Sequence, residues 1–235
     1  MKNWEDKLQI QQPRHELKAR IEPQFLDNVY AQIQNSSFLF FEEYPERQVN
    51  SIYFDDNSLS NFADNLAGIN ARIKVRLRWY GSDIKNIHEP TLEFKIKKNS
   101  YGWKNNYQIK GSFDLRTISW ATLFNEVEKQ LPQDKFADFF SFYPVVSSII
   151  SYKREYYKSQ DQKIRLTVDK QVSYYDQYLH SMPNINHCLI EDDTIVEIKA
   201  AEKDQELLSK CTNEFQFRIG KNSKYVNALL SSIHT

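Results

Sequence analysis

In the stretch INARIKVRLRWYG, residues 69–81, Arg72, Lys74, Arg76 and Arg78 fall at every second position, with Ile73, Val75, Leu77 and Trp79 between them. Side chains of a β-strand alternate between its faces, so all of these cations would share one face, roughly 7 Å from neighbour to neighbour. At an effective dielectric of about 20, each adjacent pair repels by roughly 2 kcal/mol before salt screening. Turned into an enclosed tunnel, such rows are stable only with counterions or a polyanion inside. Arginine grips two oxygens of such an anion with a planar fork, and lysine adds a point charge.

Other stretches repeat the pattern. RHELKARI sets Arg14, Glu16, Lys18 and Arg20 against Leu17, Ala19 and Ile21, and PTLEFKIKKN sets Glu93, Lys95 and Lys97 against Leu92, Phe94 and Ile96. VVSSIISYKREYYKS aligns Tyr152 with Arg154. KIRLTVDKQV aligns Lys163, Arg165, Thr167 and Asp169, and TIVEIKA aligns Glu197 with Lys199. With QVNSIYFDD and KNNYQIKG, the chain holds about eight candidate strands, most of them charged on one face and apolar on the other. A lone strand of this kind would simply be solvated. Several together point to an α+β fold: a sheet that buries its apolar face under helices and whose closure would turn the charged faces inward as a cation-lined tunnel.

The helices are legible too. PQFLDNVYAQIQN spaces Phe25, Leu26, Val29 and Ile33 along a stripe, SLSNFADNLAG stops before Gly68, and ISWATLFNEVEKQL ends ahead of Pro132. AEKDQELLSKC and SKYVNALLSSI read as later helices. These amphipathic helices would have no apolar surface to cover on a lipid-facing barrel, which argues against a porin-like reading.

Composition narrows the rest. The 235 residues show no repeat, linker or shift of composition, so residues 1–235 are expected to form a single domain. Basic and acidic residues balance at 31 each, so only the placement of charge is informative, and nucleic acid is not an expected partner. MKNWEDKLQI is not a signal peptide, and YPVVSSII is far shorter than the ~18 residues of a spanning helix, so membrane insertion is not expected. Cys188 and Cys211, read as free thiols, fit a cytoplasmic location. The histidines show no pairing at zinc-ligand spacing, and 5 glycines leave no room for a glycine-rich phosphate loop.

The fragments ELK (16–18), VNSIYFD (49–55), KVRLRWYG (74–81), LEFKIKK (92–98), YKREYY (152–157), IRLTVD (164–169), VEIK (196–199) and KNSKY (221–225) occur in an order that resembles the VTC domain. That is the catalytic domain of the vacuolar transporter chaperone, a polyphosphate polymerase of the triphosphate tunnel metalloenzyme, or CYTH-like, superfamily, and the resemblance implies its fold: a closed, eight-stranded antiparallel tunnel barrel with a cationic interior, flanked by helices, in agreement with the strand count. The resemblance implies a metal-dependent enzyme that transfers the γ-phosphoryl group of ATP to a growing inorganic polyphosphate chain inside a basic tunnel, with Mn²⁺ or Mg²⁺ as cofactor. It assigns Lys18, Arg76, Arg78, Lys95, Arg154, Arg165 and Lys199 to catalysis. Phosphate binding falls to Lys221 and Lys224, with Tyr152 and Ser223 as supporting donors, while Arg72 and Lys74 extend the row towards the tunnel entrance. The metal falls to Glu197, with Glu93 and Glu16 as further candidates. Arg14 stands where the wider superfamily places a first glutamate, which favours the polymerase over the hydrolase and cyclase branches. The membrane helices and phosphate-sensing domain of the eukaryotic subunits have no counterpart here, so export of product would need a separate membrane protein.

Plainer readings accompany these roles. Glu197 with Lys199, and Glu93 with Lys95, can be cross-strand ion pairs, and Tyr152 a strand aromatic. Lys97, Lys98, Lys104 and Lys110 read as solvated strand ends, and Arg72 and Lys74 can be exposed. The same tunnel could also serve a tripolyphosphatase or nucleoside triphosphatase, or a polyphosphate-binding module without turnover.

Overall fold

In a computed structural model, residues 14–98 and 101–233 are described. The segment MKNWEDKLQI and the side chain of Lys98 lie outside the described residues. The first half of the chain runs β1 (Arg14–Ile21), α1 (Leu26–Asn35), β2 (Phe41–Asp55), α2 (Ser60–Ala67), β3 (Ala71–Tyr80), β4 (Asn86–His88), β5 (Thr91–Lys98), β6 (Tyr101–Gln108) and β7 (Ser112–Asp114). The second half runs α3 (Trp120–Glu128), α4 (Lys135–Phe140), β8 (Val145–Lys158), β9 (Ile164–Asp176), β10 (Leu189–Glu191), β11 (Thr194–Ala201), α5 (Gln205–Glu214) and α6 (Lys224–Ile233). Local chemistry sets several ends. The hydroxyl of Ser119 accepts the Thr122 N–H at 3.1 Å to start α3. Gly68 takes the left-handed conformation that closes α2, φ 71°.

The strands form one antiparallel sheet in the order β1-β11-β9-β8-β2-β3-β5-β6, with β10 added to β9, while β4 and β7 make a separate ribbon. Alternation works as the pattern demands. Leu166, Val168, Val196, Ile198, Ala19 and Ile21 pack under α1 and α5. Ile52, Phe54, Val75, Leu77, Trp79, Leu92 and Phe94 pack under α3 and α4. The charged residues therefore occupy the concave side. Irregularities in the β2–β8 and β8–β9 ladders, at Glu42/Tyr44, Tyr44/Arg47, Tyr53/Phe54 and Ser151/Lys153, add local twist that rolls the sheet.

The fully closed barrel is where expectation and structure part. Among the described residues, no ladder pairs β1 with β6. The free edge of β1 is taken instead by the approach to α6: Ala19 bridges Ile219, and the Gly220 N–H donates to the Lys18 carbonyl at 2.8 Å. Side chains span the seam, with Lys95 of β5 3.5 Å from Glu16 of β1. α6 then lays Tyr225, Ala228 and Leu229 against Val49, Tyr53, Tyr152, Val172 and Tyr174, so one part of the concave face is filled by an apolar helix. What remains is a cationic channel beside α6.

Candidate functional site

Two carboxylates organise the β3–β5 and β8–β9 sides of this channel. On β5, Glu93 is 4% exposed and accepts from Arg76 Nε at 2.6 Å and Lys104 Nζ at 2.9 Å, while Arg78 lies 3.3 Å away. Arg76 also donates to the Tyr53 hydroxyl at 3.2 Å. On β9, fully buried Asp169 accepts from Arg154 Nη2 at 2.6 Å and from Lys224 at the start of α6. The ring of Tyr152 lies beneath both cations, its centroid 5.1 Å from the Arg154 guanidinium and 4.7 Å from Lys224 Nζ. It supports them through its π-face.

A third cluster joins β1 and β11. Lys18 Nζ stands 3.0 Å from both Glu16 and Glu197, and Lys199 lies 2.6 Å from Glu197 and 3.7 Å from Glu16. Arg154 reaches within 3.8 Å of Glu197 and links this cluster to Asp169. Burial pushes the Glu197 carboxyl up, but Lys18, Lys199, Arg154 and Lys224 outweigh it and hold the group well below the usual carboxylate range. Burial and Glu197 likewise raise Glu16, and Lys199, Lys18 and Lys95 bring it down to about 2. The carboxylates stay ionised, and the cations still outnumber them.

Two cationic groups show where the deficit lies. Lys74 donates to the Ser223 hydroxyl at 2.8 Å and forms no ion pair among the described residues. Burial first, then Lys18, Lys95, Arg72 and Arg76, pulls its ammonium from 10.5 down to about 7. On the same strand, the buried Arg78 Nε has no hydrogen-bond partner among the described residues. An unpaired, buried donor is costly unless something accepts from it. Ser223 is positioned by its place in the fold: its hydroxyl also accepts the Val226 N–H at 3.3 Å, capping α6.

The remaining candidates lie further out. Lys95 is more than half exposed at the seam, and Arg165 is exposed, with Glu43 3.9 Å away. Arg72 donates to the Ile69 carbonyl at 2.8 Å, and exposed Lys221 sits beside Gly68 at the end of α2. Of the alternative ion pairs, Glu197–Lys199 forms, whereas Glu93 turns to Arg76. Lys97 and Lys110 are exposed as expected, but Lys104, read from sequence as solvated, is a direct partner of Glu93. Asp169 carried no assigned role in the sequence, although its place on the charged face of KIRLTVD was a usable signal.

A family model described as the VTC domain matches residues 11–233, nearly the entire chain. The chain belongs to the VTC domain family. Among solved structures, one of a Vibrio parahaemolyticus protein provisionally described as an adenylate cyclase aligns over 94% of this VTC domain and 98% of its own chain. Its TM-score is 0.52 at 11% identity, a likeness of fold. The PH1819 protein of Pyrococcus horikoshii aligns over 94% and 98% of the two chains with a TM-score of 0.47 at 12% identity. No curated protein matches this VTC domain at a significant level. Membership supports a polyphosphate- or triphosphate-related function of phosphotransferase type. No helix among the described residues is long and apolar enough to cross a membrane.

Among the described residues, no group of three or more His, Cys, Asp or Glu side chains could hold a metal. Glu93 lies in its own cage of arginines and Lys104, whereas Glu16 and Glu197 share Lys18 and Lys199 and are both ionised. Mg²⁺ and Mn²⁺ take one or two carboxylates and complete their shell with water and substrate oxygens, so the Glu16–Glu197 pair fits.

An anion bound beside Lys74 should bind in a pH-dependent way. A bound anion favours the charged ammonium, so binding takes up a proton when Lys74 starts neutral. Affinity for tripolyphosphate is expected to be greatest below pH 7 and to fall above it, by at most about tenfold per unit from this group. Calorimetric titrations from pH 6 to 9 in buffers of different ionisation enthalpy will count the proton, and Lys74→Met should flatten the profile.

Proposed function

We propose that this VTC domain is a polyphosphate polymerase that uses ATP. The reading rests on one observation: cations from β1, β3, β5, β8, β11 and α6 meet on one concave surface, where their carboxylates neutralise them only in part, leaving Lys74 and the Arg78 Nε unpaired. Phosphoryl transfer asks for this kind of site. Charge spreads over phosphate oxygens in the transition state, and catalysis is largely positioning and electrostatic stabilisation.

In this reading Arg76 and Arg154 are forks held in orientation by Glu93 and Asp169, with their remaining N–H groups presented to phosphate oxygens. Lys74, Lys18, Lys199 and Lys224 add point charges along the chain of phosphates. A terminal oxygen of the acceptor attacks the γ-phosphorus, the bond from that phosphorus to the ADP oxygen breaks, and ADP leaves with the electron pair. A divalent cation held by Glu197 and Glu16 would neutralise charge on the phosphoryl oxygens. Arg14 at the head of β1 supplies no third carboxylate, consistent with the polymerase branch.

Incubation with ATP and Mn²⁺, followed by gel electrophoresis and an orthophosphate assay, tests the reading. Long polyphosphate chains are expected. Orthophosphate without chains would make the protein a hydrolase, and polyphosphate binding without turnover would make it a binding module; either result overturns the proposal.

A further inference from the structure

Three consecutive residues at the start of α6 reach three different strands. The Ser223 hydroxyl accepts from Lys74 of β3 at 2.8 Å, Lys224 donates to Asp169 of β9, and the Tyr225 hydroxyl donates to Asp55 at the end of β2. The first two contacts belong to the cationic channel. The third has no part in phosphate binding, because Asp55 is fully buried and carries the same sign of charge as a phosphate.

Asp55 gathers four donors, none of them a cation. The N–H groups of Asn61 and Phe62, in the first turn of α2, each donate at 2.9 Å, the Asp56 N–H donates at 2.8 Å, and Tyr225 completes the set. One carboxylate thus joins β2, α2 and α6. Packing alone does not ask for a carboxylate here, since a neutral side chain of similar shape would fill the space without the cost of burying a charge. Burial raises its pKa, which the four donors offset only in part. The ring it holds is clamped on both sides. Tyr225 stacks on Tyr53 with centroids 4.9 Å apart, and Phe62 of α2 meets it edge to face at 6.5 Å. Tyr53 in turn accepts from Arg76 at 3.2 Å. Because Ser223 and Lys224 directly precede Tyr225, the seat of that ring fixes theirs. Displacing a charge that grips a ligand by even about 1 Å is costly.

We propose that Asp55 is a positioning residue of the phosphate channel: through the Tyr225 hydroxyl it fixes the start of α6, and with it the places of Ser223 and Lys224 against a bound chain of phosphates. The inference rests on the phosphate-channel reading above and adds a residue that touches no substrate. It is tested by calorimetric titration with tripolyphosphate at fixed salt and pH, well below the melting temperature of each variant. Tyr225→Phe keeps the ring and removes the hydroxyl, and should weaken binding roughly three- to tenfold. On a Lys224→Met background the same change should cost less than about twofold, since the ammonium to be placed is already gone. Asp55→Asn should also weaken binding, although removing a buried negative charge would by Coulomb attraction alone strengthen it. A merely structural role would lower the melting temperature and leave the affinity of Tyr225→Phe unchanged, or would cost the same on both backgrounds; either result overturns the inference, as does tighter binding by Asp55→Asn. Amide hydrogen exchange on the unaltered protein needs no variant to fold: tripolyphosphate should slow exchange in α6 and in the first turn of α2 together, and slowing confined to the channel strands overturns the inference. Failure of tripolyphosphate to bind the unaltered protein at all overturns the channel reading instead, and this inference with it.

Discussion

Asp169→Asn is expected to lower the stability of the VTC domain by about 3–5 kcal/mol, because it leaves Arg154 and Lys224 inside the protein without their shared counterion. The substitution preserves shape, so packing is not the cause. Asp169 is fully buried, and its neighbours Arg154 and Lys224 are only 13% and 10% exposed, so water cannot replace the lost charge. For a chain of this size each kcal/mol moves the melting temperature by roughly 2–4 °C, which puts the shift on the order of 10 °C. Tripolyphosphate should then recover part of the loss, since an anion bound to the native state replaces the missing charge and stabilises by mass action. Thermal denaturation with and without tripolyphosphate checks both halves. A variant that melts like the parent, or whose deficit tripolyphosphate leaves untouched, would contradict the view that this carboxylate holds the channel's cations in place.

Glu197→Gln should move binding and turnover in opposite directions. Glu197 is 5% exposed and faces Lys18, Lys199 and Arg154. Removing its charge makes the channel more positive, so tripolyphosphate should bind at least as tightly as before. In the proposed reaction the same residue holds the divalent cation, which contributes several kcal/mol to stabilising the transition state. Turnover at saturating ATP and Mn²⁺ should therefore fall by roughly 10²–10³-fold. Measuring kcat beside the dissociation constant of tripolyphosphate separates the two effects. Near-normal turnover would remove Glu197 from the metal site, and weakened anion binding would mean that its present role is structural.

Much of this site was legible before any coordinates. The alternation of Arg72, Lys74, Arg76 and Arg78 with Ile73, Val75, Leu77 and Trp79 is enough to put the charges on one side of β3 and the apolar residues under α3 and α4. The same holds for Glu16 and Lys18, Glu197 and Lys199, and Thr167 and Asp169. Gly68 and Ser119 mark helix ends because their effects act within a turn. Less visible were α4, a short helix of six residues, and Lys104, whose sequence neighbours are those of a solvated strand end. The stacking of Arg47 on Tyr44, 4.9 Å from guanidinium to ring centroid, was hidden for a related reason: strand periodicity places the two on opposite faces, and only the shifted ladder against β8 reverses that.

Sequence alone determined which side chains share a face, since that depends on the two-residue period of a strand and needs no knowledge of what lies opposite. Tertiary structure decided which charge meets which. Asp169 finds Arg154 15 positions away and Lys224 55 positions away, and Lys74 meets Ser223 across 149. It also decided that the seam beside β1 is joined by residues 219–220 and by the Lys95–Glu16 ion pair rather than by a ladder to β6. Coulomb attraction between ionised groups has no sequence period, so the pairing emerges only once the sheet has rolled and brought distant strands within a few ångströms.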